Sequence, residues 1–287
     1  MMRIVALVCM LLFSSAAALA APVTLKLGHI GEPQHPYGLG AEYFAKLVKE
    51  RSNGSIDVQV FPSGLLGDQH DLVEGLTLDS IDMALAGSDE VAIFLPELAI
   101  FNLPYLFRDV QHAYKALDSI GMELCKKGEE RGFVTLAIWE NGINHLTNNV
   151  RPIVTPADIR GLKIRVMEVP LCIATMQALG GNPAPMPMST GEMFVTLLKR
   201  GVDGQECSLA HIVTKRFFEV QKFLSLTGHT YDPELLLISS IAWKKLTQEQ
   251  QALIRQAAED ARDWQRNMCR VLGKSQGQRH VCGQRQC

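Results

Sequence analysis

No run of lysine or arginine interleaved with aromatic residues occurs anywhere in the chain, and its 28 basic side chains face 30 acidic ones, a formal charge of -2. A nucleic-acid partner, which needs a basic face to displace counterions, is excluded on that ground. No Cys-x-x-Cys pair occurs among the seven cysteines, so neither a zinc site nor a redox dithiol is expected. A chain this long needs no disulfide frame, and the cysteines are expected as scattered core or partly exposed thiols. The eight histidines show no metal-ligand spacing, and no His-Glu-x-x-His frame is present. No cofactor-binding loop is legible, and no nucleophile stands beside a base, so neither a cofactor nor a catalytic residue is assigned.

Long apolar runs are also missing after the N-terminus, and none there is long enough to span a bilayer. The N-terminus itself differs. Arg3, an apolar stretch from Ile4 to Phe13 and Ala18-Leu19-Ala20 describe a secretory signal peptide over residues 1–20, which implies export to the periplasm. Cys9 lacks the small preceding residue of a lipoprotein signal. The remainder, with 47% hydrophobic and 20% charged residues over the full chain, suits one large or two modest domains.

The segment Gly161 to Met167 is the one around which the rest of the chain is organised. Leu162, Ile164 and Val166 alternate with Lys163, Arg165 and Met167, a strand with one row in a core and Arg165 on the other face. Upstream, Thr155 as N-cap, Pro156 at the first helical position and Gly161 as terminator predict one helical turn that stiffens its base. Strand, helix, short strand, helix, strand is the order from 162 to 206, with Ser189 and Glu192 as a capping box. The same order runs from Val23 to Leu85, where Asp68 caps the second helix. The pattern predicts two βαβαβ units whose strand ends, near Gly28, Ser88, Arg165 and Glu206, face one cleft.

Between and after the units, Glu140 to Asn144 and Gly228 to Pro233 are rich in Gly, Asn, Asp and Pro, and read as crossing segments that form a hinge. Thr247 with Gln250 caps a long helix bearing Leu253, Ile254, Ala257, Ala261 and Trp264 on one face. Past Gly273 the periodicity ends. Residues 273–287 are expected as an irregular, truncated or frame-shifted tail that leaves apolar surface of that helix uncovered.

From residue chemistry alone, Arg165 is either a two-pronged grip for a carboxylate or an internal ion pair with Glu168 or Glu206. His35 comes after the first strand and is placed to reach the cleft. Asp203 is explained by its turn and Glu192 by its cap.

Thr155 to Val166, Ala178-Leu179-Gly180, Pro185-Met186-Pro187, Val202-Asp203-Gly204-Gln205-Glu206 and Phe218 to Lys222 together resemble the DctP-type solute-binding proteins of tripartite ATP-independent periplasmic (TRAP) transporters. The likeness runs from about Leu25 to Lys274. It implies an α/β fold, a two-lobed periplasmic binding protein (type II-like) with an interlobe ligand cleft. Lobe I is expected over 21–142 plus 233–272 and lobe II over 143–232. The resemblance makes Arg165 the anchor of a ligand carboxylate, beside Glu206, with Ser88 on a pocket wall and Met188 where an aromatic often packs on the ligand. Two departures stand out. Cys207 occupies the place of an asparagine that contacts the carboxylate, and is a poorer donor. Asn144 stands where many members carry a second arginine, which argues against a densely anionic ligand. The implied function is capture of a small organic acid for TRAP membrane subunits. The alternatives are a periplasmic lyase or hydrolase acting on an acid in the same cleft, or a ligand-sensing subunit.

Overall fold

The computed structural model describes residues 21–188 and 191–272. The signal peptide over 1–20, the Ser189 cap and the tail over 273–287 lie outside the described residues.

The first unit runs β1 (Val23–Gly28), α1 (Pro36–Arg51), β2 (Ile56–Phe61), α2 (Gln69–Thr77) and β3 (Met83–Gly87), then α3 (Ser88–Phe94). Asp68 caps α2, its carboxylate accepting from Asp71 N while Asp71 accepts from Asp68 N. Helices α4 (Val110–Ala116) and α5 (Met122–Cys125) lead to the long strand β4 (Phe133–Asn148). The second unit runs β5 (Lys163–Val166), α6 (Pro170–Ala178), β6 (Asn182–Pro185), α7 (Glu192–Leu198) and β7 (Gly204–Ser208), then α8 (Leu209–Thr214). Strand β8 (Phe223–Ser239) and helices α9 (Ser240–Lys244) and α10 (Gln248–Leu272) complete the described chain.

All eight strands form one mixed sheet in the order β2-β1-β3-β8-β4-β7-β5-β6. Within each unit the pairing is parallel and the first strand lies between the second and the third. This matched order is what two copies of one βαβαβ pattern would produce. The third strand of each unit is then joined antiparallel to a central ribbon, β3 to β8 and β7 to β4.

The crossing segments Glu140 to Asn144 and Gly228 to Pro233 lie inside the strands β4 and β8 and pair with each other, Glu140 with Pro233, Gly142 with Asp232 and Asn144 with Thr230. Their loop-like composition serves register shifts between Glu140 and Gly142 and between Asn144 and Leu146. Gly142 at φ +125° and Gly228 at φ +57° take the positive angles involved. At the kink, Gln265 of α10 accepts from Glu140 N at 3.0 Å and donates to Glu140 O at 2.7 Å, satisfying backbone groups that the bulge releases.

Three apolar clusters hold the sheet. One joins α1, α10 and the sheet face between them, with Ile254, Ala257, Ala258 and Ala261 fully buried. Leu253 and Trp264, expected on that face, are half-buried, and Trp264 stacks on Tyr43 at 5.0 Å. The reciprocal Thr247 and Gln250 cap is present. A second cluster fills the opposite face under α2 and α3. The third, with Leu146, Ile159, Leu162, Ile164 and Val166, lies in the second unit. The four cysteines among the described residues are free thiols.

Candidate functional site

Strand β5 rests on the turn Pro156–Ile159, whose start is tied by the Asp158 carboxylate accepting from Thr155 N at 2.7 Å and Val154 N at 3.1 Å. Gly161 at φ +76° ends it. Leu162, Ile164 and Val166 enter the core as the alternation requires, Lys163 is exposed, and Arg165 lies on the cleft side. There it is 0% exposed. Its Nε donates to Met186 O at 2.8 Å, and its Nη2 lies 2.9 Å from Met167 Sδ. Nη1 has no hydrogen-bond partner among the described residues. Neither ion pair open to it on residue chemistry forms, since Glu168 is exposed and Glu206 instead lies 3.5 Å from His229 Nε2. Burial draws the guanidinium pKa below its ordinary value, opposed first by the charge of Glu206.

Arg165 lines a cavity together with Asn144, Met188, Glu206 and Cys207. Five of the seven expected site residues are thus brought together. Cys207 is a buried thiol, its pKa pushed up to about 12 by burial and by Glu206, so it stays protonated. The other two stand behind the wall. Ser88 donates to Asn102 Oδ1 at 2.6 Å, and Asn102 in turn donates to Asp232 Oδ1 at 3.0 Å. His35 caps α1, its Nδ1 accepting from Tyr37 N at 3.1 Å, and its ring stacks on His211 at 4.1 Å. It is His211 that reaches the cavity. Burial holds both imidazoles well below the usual histidine range.

Sequence reasoning misses Gln69, Asp89, Asn141 and Asp232 on the cavity wall. Asp89 comes directly after Ser88, and Asn141 and Asp232 sit in the segments that read as a hinge, so a polar signal exists without a direction attached to it. Gln69 carries none. Asp232 accepts from Asn141 Nδ2 at 2.6 Å and from Asn102, while Asp89 accepts from Glu90 N at 2.8 Å. Burial, with Asp89 as the next cause, raises the Asp232 carboxyl well above the usual carboxylate range. Burial likewise raises Asp89, opposed by its bond from Glu90 N and reinforced by Glu206.

Two further cavities continue the first. One shares Asp89, Asn144 and Glu206 with it and extends past Cys172 and Thr175; the other shares Ile30, Gln69, Met167 and Met188 and extends toward His70 and Glu90. The three form one cleft between the units, closed at one side where Lys215, beyond α8, donates to Glu32 Oε1 at 2.8 Å and Ile30 O at 3.3 Å. Among the described residues no group of three or more metal-ligating side chains converges, and no helix is long and apolar enough to cross a membrane. The arrangement offers a buried cation with an unspent donor, lining one cleft with polar acceptors. It suits binding an anion.

Residues 27–279 match the family model described as bacterial extracellular solute-binding protein, family 7 (DctP). The 2,3-diketo-L-gulonate-binding periplasmic protein YiaO of Escherichia coli is 37% identical over 255 residues, which cover 88% of this chain and 77% of that protein. A sugar acid binding protein from Advenella mimigardefordensis, solved with galactonate, superimposes with a TM-score of 0.85 at 33% identity, covering 91% of this chain and 83% of its own. A TRAP periplasmic solute-binding protein from a Polaromonas species, bound to D-erythronate, gives 0.85 at 36% identity, covering 90% and 86%.

Proposed function

We propose, from the premise that this chain belongs to the DctP family of solute-binding proteins of TRAP transporters, that it captures a small organic acid in the cleft beside Arg165 and delivers it to TRAP membrane subunits. The fold is the two-lobed binding-protein fold with an interlobe cleft, and the family serves transport rather than catalysis. Arg165 binds the ligand carboxylate, with Asn144 and Cys207 beside it and Met188 and Glu206 on the walls. Ser88 and His35 support the site from behind. The lobes comprise 21–142 plus 233–272 and 143–232, and they rotate about the paired segments 140–144 and 228–233. Residues 1–20 direct export to the periplasm.

The observation that carries this reading is the buried Arg165 Nη1 without a partner among the described residues, on a cavity wall rich in polar side chains. A buried guanidinium left so is costly unless an anion completes it. A thermal-shift screen of small carboxylic acids tests it. An acid present at about a hundred times its Kd should add roughly 2.7 kcal/mol to stability. If no acid in a broad library raises the melting temperature, acid capture is wrong. Delivery is tested by uptake of the confirmed acid into cells that carry the paired membrane subunits, with and without this protein.

A further inference from the structure

Strand β4 carries one residue more than β8 in the paired segments between the units. Glu140 pairs with Pro233 and Gly142 with Asp232, and Asn141 is the residue that the register shift adds. Such a bulge re-aims the side chain it contains. Here the Asn141 amide joins a run of hydrogen bonds. Ser208 Oγ donates to Asn141 Oδ1 at 3.0 Å, and Asn141 Nδ2 donates to Asp232 Oδ2 at 2.6 Å. From the other side, Asn102 Nδ2 donates to Asp232 Oδ1 at 3.0 Å, and Ser88 Oγ donates to Asn102 Oδ1 at 2.6 Å. Ser88, Asn102, Asp232 and Ser208 are buried and Asn141 is half-buried.

The run begins in one unit and ends beside the other. Ser208 closes β7 and pairs with Asn144 of β4, in the second unit's part of the sheet. Ser88 opens α3, and Asp232 comes just before Glu234, which pairs with Gly87 at the end of β3. Between these parts stands Gly142 at φ +125°, where the bulge bends β4. The bond from Ser208 to Asn141 is the link that passes from one side of Gly142 to the other. A Cβ added at Gly142 would lie 3.3 Å from Ser208 Cβ, so the missing side chain leaves room for that approach. Rotation of the units about this point stretches the Ser208 bond, whereas Asn141, Asp232, Asn102 and Ser88 move together on the first unit's side. Asp232 gives one oxygen to each amide, which ties Asn141 Nδ2 and leaves its Oδ1 toward Ser208. Asn141 lines the cavity beside Arg165, and Ser208 is not among the described residues that do.

We infer, resting on the acid-capture reading and its rotation of the lobes, that Ser208 and Asn141 form a clasp across the bend whose bond favours the closed cleft. They are positioning residues. Asp232, Asn102 and Ser88 hold the Asn141 amide ready for the hydroxyl, so little ordering is left to do when the units come together. A protein that binds only when closed has its affinity scaled by the fraction of closed molecules, and the clasp raises that fraction whatever acid the cleft holds.

The test is calorimetric titration of the intact exported protein with D-galactonate, D-erythronate, pyruvate and succinate, which differ in length, hydroxylation and charge, together with any acid that the thermal-shift screen detects. Ser208→Ala should weaken every acid that the wild-type protein binds by one common factor of about twofold to tenfold, the range one neutral hydrogen bond carries. Asn141→Ala should weaken them by at least that factor. Adding Ser208→Ala to Asn141→Ala should change nothing further, because both remove the same bond. The melting temperature of each ligand-free variant separates the clasp from simple support of the fold, which would lower that temperature and leave affinity alone. Wild-type affinity in Ser208→Ala and Asn141→Ala, beside loss of the same acids in Arg165→Ala, overturns the clasp and leaves acid capture standing. Weakening of one acid and not the others by Ser208→Ala, or additive losses in the double variant, overturns it as well. If the wild-type protein binds none of these acids, acid capture and the clasp fall together.

Discussion

Replacing Arg165 tests the site most directly, because the structure says what the side chain gives to the protein and what it keeps back. Its contribution to the fold is one bond, from Nε to Met186 O, and a contact with Met167. Losing these costs about 1–2 kcal/mol of stability, small against the total for a chain of this size. Its contribution to binding is expected to be larger. The guanidinium is fully buried, so a carboxylate paired with it is desolvated on both sides. Truncating one member of such a pair costs about 2–5 kcal/mol, which is roughly thirty-fold to several-thousand-fold in affinity. Arg165→Ala should therefore weaken the acid found by screening by that factor, mainly through faster dissociation. Arg165→Lys keeps a charge but neither the planar fork nor the Nε bond, and should fall between the two. Asn144→Ala removes a neutral contact and should cost about 1 kcal/mol. The assay is calorimetric titration of all three, with circular dichroism and melting temperature as controls. Near-normal affinity in Arg165→Ala with an unaltered spectrum would show that the arginine is structural and that the site lies elsewhere.

Three further outcomes concern the frame around the cleft. His145 accepts Gly228 N–H on Nδ1 at 3.0 Å, and burial, with His229 as a lesser cause, lowers its pKa to about 4, so the folded state binds its proton less readily than the unfolded one. Stability from this group is full above about pH 6.5 and is lost as pH falls toward 4, on the order of 2–3 kcal/mol. His145→Asn keeps an acceptor without titrating, so urea denaturation at pH 7 and pH 4.5 should show a smaller acid loss than wild type; an equal loss refutes the assignment. Gln265→Leu strands Glu140 N–H at the kink and leaves its C=O only the Cys269 thiol at 3.4 Å, and should cost about 1–3 kcal/mol in the same assay, whereas a change under about 0.5 would mean that the bulge is satisfied otherwise. At Gly204 an added Cβ would lie 2.0 Å from Thr147 O, so Gly204→Ala must part β4 from β7. A loss of about 2 kcal/mol or more is expected, and wild-type stability in this variant would contradict the pairing.

Several features are decided locally and can be read without coordinates. The alternation of Leu162, Ile164 and Val166 places Arg165 on the opposite row, and the Thr155 to Gly161 turn anchors it, because both are set by residues a few positions apart. Repeated strand and helix order in the two halves foretells the matched sheet order of the two units. The same locality explains where sequence reasoning stops short. Glu140 to Asn144 and Gly228 to Pro233 have the composition of loops, and only pairing between residues about ninety positions apart makes them strands. Distance from a strand end favours His35 over His211, yet the two rings stack and the later one faces the cavity. Asp89, Asn102 and Asp232 form a polar wall through contacts that span up to 130 residues, and no periodicity records such a meeting. The sequence alone determined which side chains could grip an acid. Tertiary packing decided that Arg165 would be buried with a donor to spare, and which acceptors would face it, since burial and long-range contact exist only after the two units come together.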